Sequence, residues 1–288
     1  MSPDLRTLTL QNIPDAIHVL NESSRGTSLE CPLDLVRFLW LSRYWNFSYE
    51  HSLIRYIENE PAALVINCTD PELQDAFTFY WGAVPKFRSR RMSLNLFDAC
   101  CNKLHDDGYT TLYGISVPDR QVRRYRFIQA HAQHDLVDME TMTPALPAAE
   151  PRFAIRPIDI DSVSQVALPP SDSLFWCQRP NFLRNAAPFF QFAGAFEGDA
   201  LQAYMVVEPG SSKNAVADLR SPKSCLAAGY ELLRWLLQHY QPPFAATHVL
   251  PGSYAHGLLT AAGFGVKREF SLLTRDLRAT CSAKAGDM

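Results

Sequence analysis

The sequence has no C-x-x-C pair, no surplus of basic charge, and no apolar run approaching the ~18 residues that a membrane-spanning helix needs. Each absence excludes something. The seven cysteines, Cys31, Cys68, Cys100, Cys101, Cys177, Cys225 and Cys281, form an odd set without zinc-knuckle spacing. That argues against a disulfide framework and for a reducing compartment. Met1 to Leu10 is short, polar and strand-like, without the basic start and apolar stretch of a secretory signal, so cytoplasm is the expected location and no membrane partner is expected. With 27 Lys and Arg against 30 Asp and Glu, the formal net charge of −3 argues against nucleic acid as a partner, because phosphate-dominated binding draws on excess positive charge.

What is present is ordinary for a globular chain: 47% hydrophobic and 20% charged residues in 288, long enough for two cores. Between Thr141 and Pro151 the sequence reads TMTPALPAAEP, which suits neither a long helix nor a central strand. The reading is a domain at 1–143, a linker at 144–151, a second domain at 152–278 and a flexible tail at 279–288. On either side of the linker the order of element types repeats. In the first half a strand at Leu5–Leu10 precedes two helices, the second carrying Leu33, Val36, Leu39, Trp40 and Tyr44 at helical spacing. A hairpin of Ser52–Ile57 and Ala62–Asn67 follows, then a strand at Ala76–Val84, a basic loop, and a helix from Met92 to Asp107 closed by Gly108. Leu112–Val117, a helix at Asp119–Ala130 and a closing strand at His134–Met142 complete that half. The second half repeats this with a hairpin around Glu197–Asp199, a strand at Ala215–Leu219, a helix started by Ser221-Pro222, and a last strand at Val266–Leu273.

Two stretches carry a resemblance. Val84-Pro85-Lys86-Phe87-Arg88-Ser89-Arg90-Arg91-Met92-Ser93 resembles the pyrophosphate loop of the GNAT N-acetyltransferase superfamily, an Arg or Gln followed three and five residues later by small residues. Arg88 matches the first position, while Arg91 and Ser93 depart from the small ones. Asp119 to Phe127 is similar to the segment in which an Asn opens a helix and a Tyr lies six residues on; Tyr125 matches that tyrosine. The second half keeps the Gly-Phe ending at Gly263-Phe264, with Leu259 where the tyrosine would stand.

The resemblance implies an α/β fold (α+β by some schemes) of two tandem GNAT-like domains, each a mixed, mainly antiparallel sheet flanked by helices. It implies an acyl-CoA co-substrate, acetyl-CoA first, with no metal. The thioester would lie where the fourth strand splays from the fifth, along Trp81–Val84. Cofactor binding falls to Ala83, Val84, Arg88, Ser89, Arg90, Arg91, Met92, Ser93 and Asp119. The chemistry implied is direct attack of an amine on the thioester, with Tyr125 giving a proton to the departing thiolate. The acceptor would be a small amine or an exposed amino group of a protein, and the chain a monomer or homodimer. The alternative is a non-catalytic degenerate member acting as an acyl-CoA sensor or scaffold, suggested by the missing glycines in both halves.

Other residues carry chemistry of their own. Glu58, Glu60 and Asp75 are candidate bases or plain turn carboxylates. His131 and His134 are spaced for a metal but lack a third ligand. Cys100 and Cys101 read as buried small hydrophobes. The aromatic set Phe38, Trp40, Tyr44, Trp45, Phe47 and Tyr49 reads as core or as an acceptor wall.

Overall fold

The computed structural model describes residues 4–25, 32–116, 130–148, 152–164, 176–210 and 212–278. It divides into two compact units, unit 1 from Met1–Gln133 with Leu272–Met288, and unit 2 from His134–Ser271.

In unit 1, β2 (Phe47–Ile57), β3 (Glu60–Asp70) and β4 (Asp75–Ala83) form an antiparallel meander, with β1 (Leu5–Thr7) on the outer side of β2 and β5 (Thr111–Ser116) parallel to β4. The first turn is the two-residue kind that a right-twisted hairpin prefers, since Glu58 and Asn59 both take positive φ, 51° and 65°. Helices cover both faces of the meander, which is why β3 is apolar and buried along most of its length. On one face α1 (Ile13–Ser24) and α2 (Leu35–Tyr44) set Ile13, Ala16, Val19 and Phe38 against Ile54, Leu64 and Ile66. On the other, α3 (Arg90–Asp106) sets Met92, Leu96 and Cys100 against Leu53, Val65 and Ala83. Gly108, with φ 90°, ends that helix in the left-handed conformation that glycine adopts without steric cost.

Unit 2 repeats the scheme. β7 (Ala154–Pro157), β8 (Gln191–Glu197), β9 (Ala200–Glu208) and β10 (Asn214–Arg220) run antiparallel, and β11 (Phe244–Val249) lies parallel to β10. Two short helices, α4 (Ile160–Ser164) and α5 (Pro180–Ala186), precede the hairpin, and α6 (Leu226–His239) and α7 (Tyr254–Ala261) follow β10 and β11. The core gathers Val207, Val216, Leu232, Leu236, Phe244 and Leu258.

The closing strands do not go where sequence order suggests. β6 (His131–Thr141), expected to close the first half, lies antiparallel to β11 over Val137–Thr141 within unit 2. β12 (Gly265–Asp276) begins in unit 2, but its last residues belong to unit 1, where Leu273 and Leu277 pack with Phe97, Leu104 and Leu112. Alternation along a strand reports which face is buried and not which strand lies beside it, so partner choice was invisible in the sequence. The start of the proline-rich stretch is part of unit 2's packing: the Ala145 N–H donates to the Ala262 carbonyl at 2.8 Å and Leu146 rests on the unit 2 core. The expected helix start at Ser221-Pro222 is also corrected. α6 begins at Leu226 after Cys225, because Ser221 Oγ donates to the Gln202 carbonyl at 2.6 Å and accepts the Cys225 N–H at 2.8 Å, bracing the loop instead of capping the helix directly.

Candidate functional site

β4 and β5 pair from Asp75↔Thr111 to Thr78↔Gly114 and then part, while β4 stays in register with β3 as far as Ala63↔Ala83. Between the last parallel pair and the free stretch sits a β-bulge: Thr78 faces Asn67 and Tyr80 faces Ile66, leaving Phe79 as the extra residue. A bulge bends and twists the strand that carries it, and bulges concentrate next to sites. Phe79 and Tyr80 consequently both turn toward α1 and α2, where they pack on the same core. The backbone of β4 from Phe79 to Ala83 thus keeps one edge that β5 does not cover.

Unit 2 has the same construction. Its last parallel pair is Val216↔Ala246, and the register of β10 against β9 slips between Val216 and Asp218, leaving Ala217 as the bulged residue. In both units the strands part immediately before the bulge.

Past its free edge, β4 passes into the basic loop. The Val84 N–H donates to the Ala62 carbonyl at 2.9 Å, Pro85–Phe87 makes one 3-10 turn, and Ser89 caps α3, its hydroxyl accepting the Met92 N–H at 3.2 Å. The Ser93 N–H is taken by the Ser89 carbonyl at 3.2 Å. Ala83 and Val84 are buried, and Met92 faces the core. Arg90 and Arg91 form the first turn of α3, the positive end of a 17-residue helix dipole. Strand end, loop and helix start therefore bring Ala83 through Ser93 together. Arg88, however, turns inward: Nε donates to the Ala83 carbonyl at 3.2 Å and Nη2 to the Ser23 carbonyl at 2.9 Å, at the end of α1. Lys86 pairs with Glu60. Asp119 and Tyr125 lie outside the described residues.

Sequence reasoning missed Tyr80. Its hydroxyl hydrogen-bonds with Ser23 beside Arg88; burial pushes the phenol pKa up, while the Ser23 hydrogen bond and the Arg88 charge oppose the rise. The aromatic run Phe77 to Trp81 hid the bulge, because a bulge without glycine leaves no composition signal.

Beyond the point where β10 and β11 part, β10 carries a buried polar cluster. Asp218 Oδ1 pairs with Arg220 Nε at 2.7 Å, the two side chains being only 1% and 5% exposed. The Tyr204 hydroxyl donates to Asp218 Oδ2 at 2.8 Å, and Arg220 Nη2 donates to Gln178 Oε1 at 2.7 Å. The cavity left there, lined by Val216, Arg220, Ala246 and Leu250 among others, measures about 20 Å³, on the order of one water. Between α6 and α7, a β-carbon on Gly229 would strike Leu258 and Tyr254, and the Tyr254 hydroxyl donates to the Cys225 carbonyl at 2.9 Å.

The remaining candidates separate cleanly. Glu58 lies in the hairpin turn, Glu60 is exposed, and Asp75 is buried at the start of β4. His131 and His134 are exposed on β6, and a spacing of three on a strand points them to opposite faces. Burial raises the thiols of both Cys100 and Cys101, the latter to about 12, which leaves them inert at neutral pH. Of the aromatic set, Phe38 is core, while Trp45 stacks on Phe77 at 5.6 Å and Phe47 leans on the bulged Phe79 at 4.7 Å.

No protein-family model matches the chain, and no curated protein matches it by sequence. Solved structures do match in fold. A tandem GNAT protein from the clavulanic acid biosynthesis pathway, solved without AcCoA, superposes with a TM-score of 0.67 at 12% identity, over 95% of this chain and 98% of that one. A GCN5-related N-acetyltransferase from Sphaerobacter thermophilus gives 0.67 at 11% identity, over 95% of each chain. Eis1 from Mycobacterium abscessus gives 0.57 at 13% identity, over 97% of this chain and 75% of its own. Added to the repeated bulges and the parting of β4 from β5, these likenesses show that the chain has the tandem GNAT fold.

Proposed function

We propose that the chain is an acyl-CoA-dependent N-acyltransferase, acetyl-CoA being the first donor to test, and that its unit 1 carries the site. The observation that carries this reading is the edge of β4 from Phe79 to Gly82, which β5 leaves uncovered among the described residues and which runs straight into a loop and the amino end of α3. An uncovered strand edge offers alternating N–H and C=O groups to an amide-containing chain such as pantetheine. A helix amino end then meets its pyrophosphate with N–H groups and a favourable dipole.

In this reading Ala83 and Val84 supply backbone, and Ser89, Arg90, Arg91, Met92 and Ser93 form the phosphate-facing turn, with Asp119 at the start of the following segment. Arg88 shapes the loop from behind. The amine attacks the thioester carbonyl directly, and Tyr125 gives its proton to the departing thiolate. The acceptor is a small amine or an exposed protein amino group, handled by a monomer or homodimer in the cytoplasm. No metal enters.

A second reading, a non-catalytic acyl-CoA sensor or scaffold, draws on one specific feature: Ser89 occupies the Met92 N–H that a phosphate oxygen would otherwise use. Thiol release with acetyl-CoA and a panel of amines tests the two together. The enzyme should release free thiol above background with at least one amine, and Tyr125→Phe should depress turnover by about 10² or more while leaving acetyl-CoA affinity near its starting value. Binding without release would favour the sensor, and no binding at millimolar acetyl-CoA would remove both.

A further inference from the structure

At the far end of α3 from the basic loop, unit 1 holds a second chemically ordered set of side chains. Ser48 Oγ lies 2.6 Å from His51 Nδ1, and His51 Nε2 lies 2.9 Å from Asp107 Oδ2. An ionised carboxylate only accepts, so Nε2 carries the ring proton and Nδ1 is left to accept the Ser48 O–H. Hydroxyl, imidazole and carboxylate thus stand as nucleophile, base and orienting group, all within hydrogen-bond reach. The ring is used in the opposite sense from the chymotrypsin arrangement, where the carboxylate holds Nδ1, but either nitrogen can act as the base.

Local structure holds the set in place. β2 loses register with β3 between Ser48↔Asn67 and Leu53↔Val65, so Tyr49 to Ser52 bulge out of the ladder. The bulge buries the His51 side chain to 8% exposure, against the edge of the Tyr109 ring at 5.1 Å. Its backbone is pinned by the Asn67 amide donating to the His51 carbonyl at 2.7 Å and by Ser52 Oγ donating to the Ser48 carbonyl at 2.6 Å. Lys103 Nζ sits 3.0 Å from Asp107 Oδ2, and this bond, with that from His51, holds the carboxyl below its usual range. Ser48 itself is only half-buried.

A histidine that merely tied α3 to β2 would be served by Asp107 and any main-chain acceptor. Here the second nitrogen meets a hydroxyl on a half-buried residue. We propose that Ser48, His51 and Asp107 form a second catalytic site in unit 1, one that hydrolyses short-chain carboxylic esters through an acyl-Ser48 intermediate. Ser48 Oγ bonds to the ester carbonyl carbon as its proton passes to His51 Nδ1. The carbon–alkoxy bond then breaks, and the alcohol leaves with that proton. Water attacks acyl-Ser48, His51 takes its proton, and return of that proton to Ser48 Oγ releases the acid and restores the site. Asp107 orients the ring and stabilises its cationic form.

The test uses the full chain with an alkyl fluorophosphonate and, separately, p-nitrophenyl acetate. Peptide mass spectrometry should find the phosphonyl adduct on Ser48, and Ser48→Ala should abolish both adduct and hydrolysis. His51→Gln should slow labelling by about 10² or more. Asp107→Asn, which keeps the shape of the site, should slow it by at least ~10-fold and decides the matter if His51→Gln does not fold. The proposal is overturned by the absence of an adduct on Ser48 in the wild type, or by hydrolysis that survives in Ser48→Ala. It is equally overturned by wild-type labelling rates in a folded His51→Gln or Asp107→Asn variant. None of these outcomes touches acetyl-CoA binding, so the site stands or falls apart from the acyltransferase reading.

Discussion

The hydroxyl of Tyr80 lies over Gly82, in the space a β-carbon there would fill, and from that position it reaches Ser23 of α1. Glycine on the free edge of β4 is therefore needed by a side chain two residues away on the same face, and not by a turn. Gly82→Ala should force Tyr80 off Ser23 and cost about 1–3 kcal/mol, as overpacking commonly does. Chemical denaturation would register this as a lowered midpoint. Adding Tyr80→Ala should return part of the loss, and strictly additive effects would show that the two residues are uncoupled.

Arg88 leads to a prediction that separates two roles. Its guanidinium bonds the Ala83 and Ser23 carbonyls, so it ties the end of β4 to the last turn of α1. A tie of this kind shapes the whole cleft and is blind to phosphate. Arg88→Gln should weaken acetyl-CoA and S-acetylpantetheine by the same factor and lower stability by about 1–3 kcal/mol, since two carbonyls lose a charged donor. Calorimetry with the two thioesters decides it. If the variant loses affinity for acetyl-CoA alone, the guanidinium reaches the pyrophosphate after all.

How much of this was legible in the sequence depends on the kind of information each feature leaves behind. The meander and its turn were readable, because Glu58 to Pro61 is turn chemistry between two apolar runs. The basic loop and the helix after it were readable as a strand followed by charge and a helical stripe from Met92, whereas the Ser89 cap that starts the helix at Arg90 was not read. The bulges at Phe79 and Ala217 were not, since neither residue type is special to a bulge and only pairing against the neighbouring strand reveals them. The inward turn of Arg88 was also hidden. An arginine in a basic run looks like a phosphate ligand, and one of the two carbonyls it bonds belongs to Ser23, 65 residues earlier. A comparable distance in sequence concealed the link between His51 and Asp107, 56 residues apart, although Ser48 and His51 are near neighbours.

The small cavity where β10 and β11 part predicts the stoichiometry of the proposed acyltransferase site. Asp218 and Arg220 form a buried ion pair just beyond the point where β10 and β11 part and line the cavity of about 20 Å³ there, and Tyr254 and Leu258 close the space beside Gly229 between α6 and α7. Displacing a buried ion pair leaves charges without partners, at a cost that a thioester's few hydrogen bonds do not offset. Titration calorimetry should therefore find a single acetyl-CoA per chain. Asp218→Asn should destabilise the chain by about 3–5 kcal/mol, because Arg220 would remain buried beside a neutral amide. The same variant should leave acetyl-CoA affinity unchanged, since the ligand is assigned to unit 1. Two equivalent binding events, or an affinity that falls with Asp218→Asn, would place acyl-CoA in unit 2 and show that its inner side chains yield to the ligand.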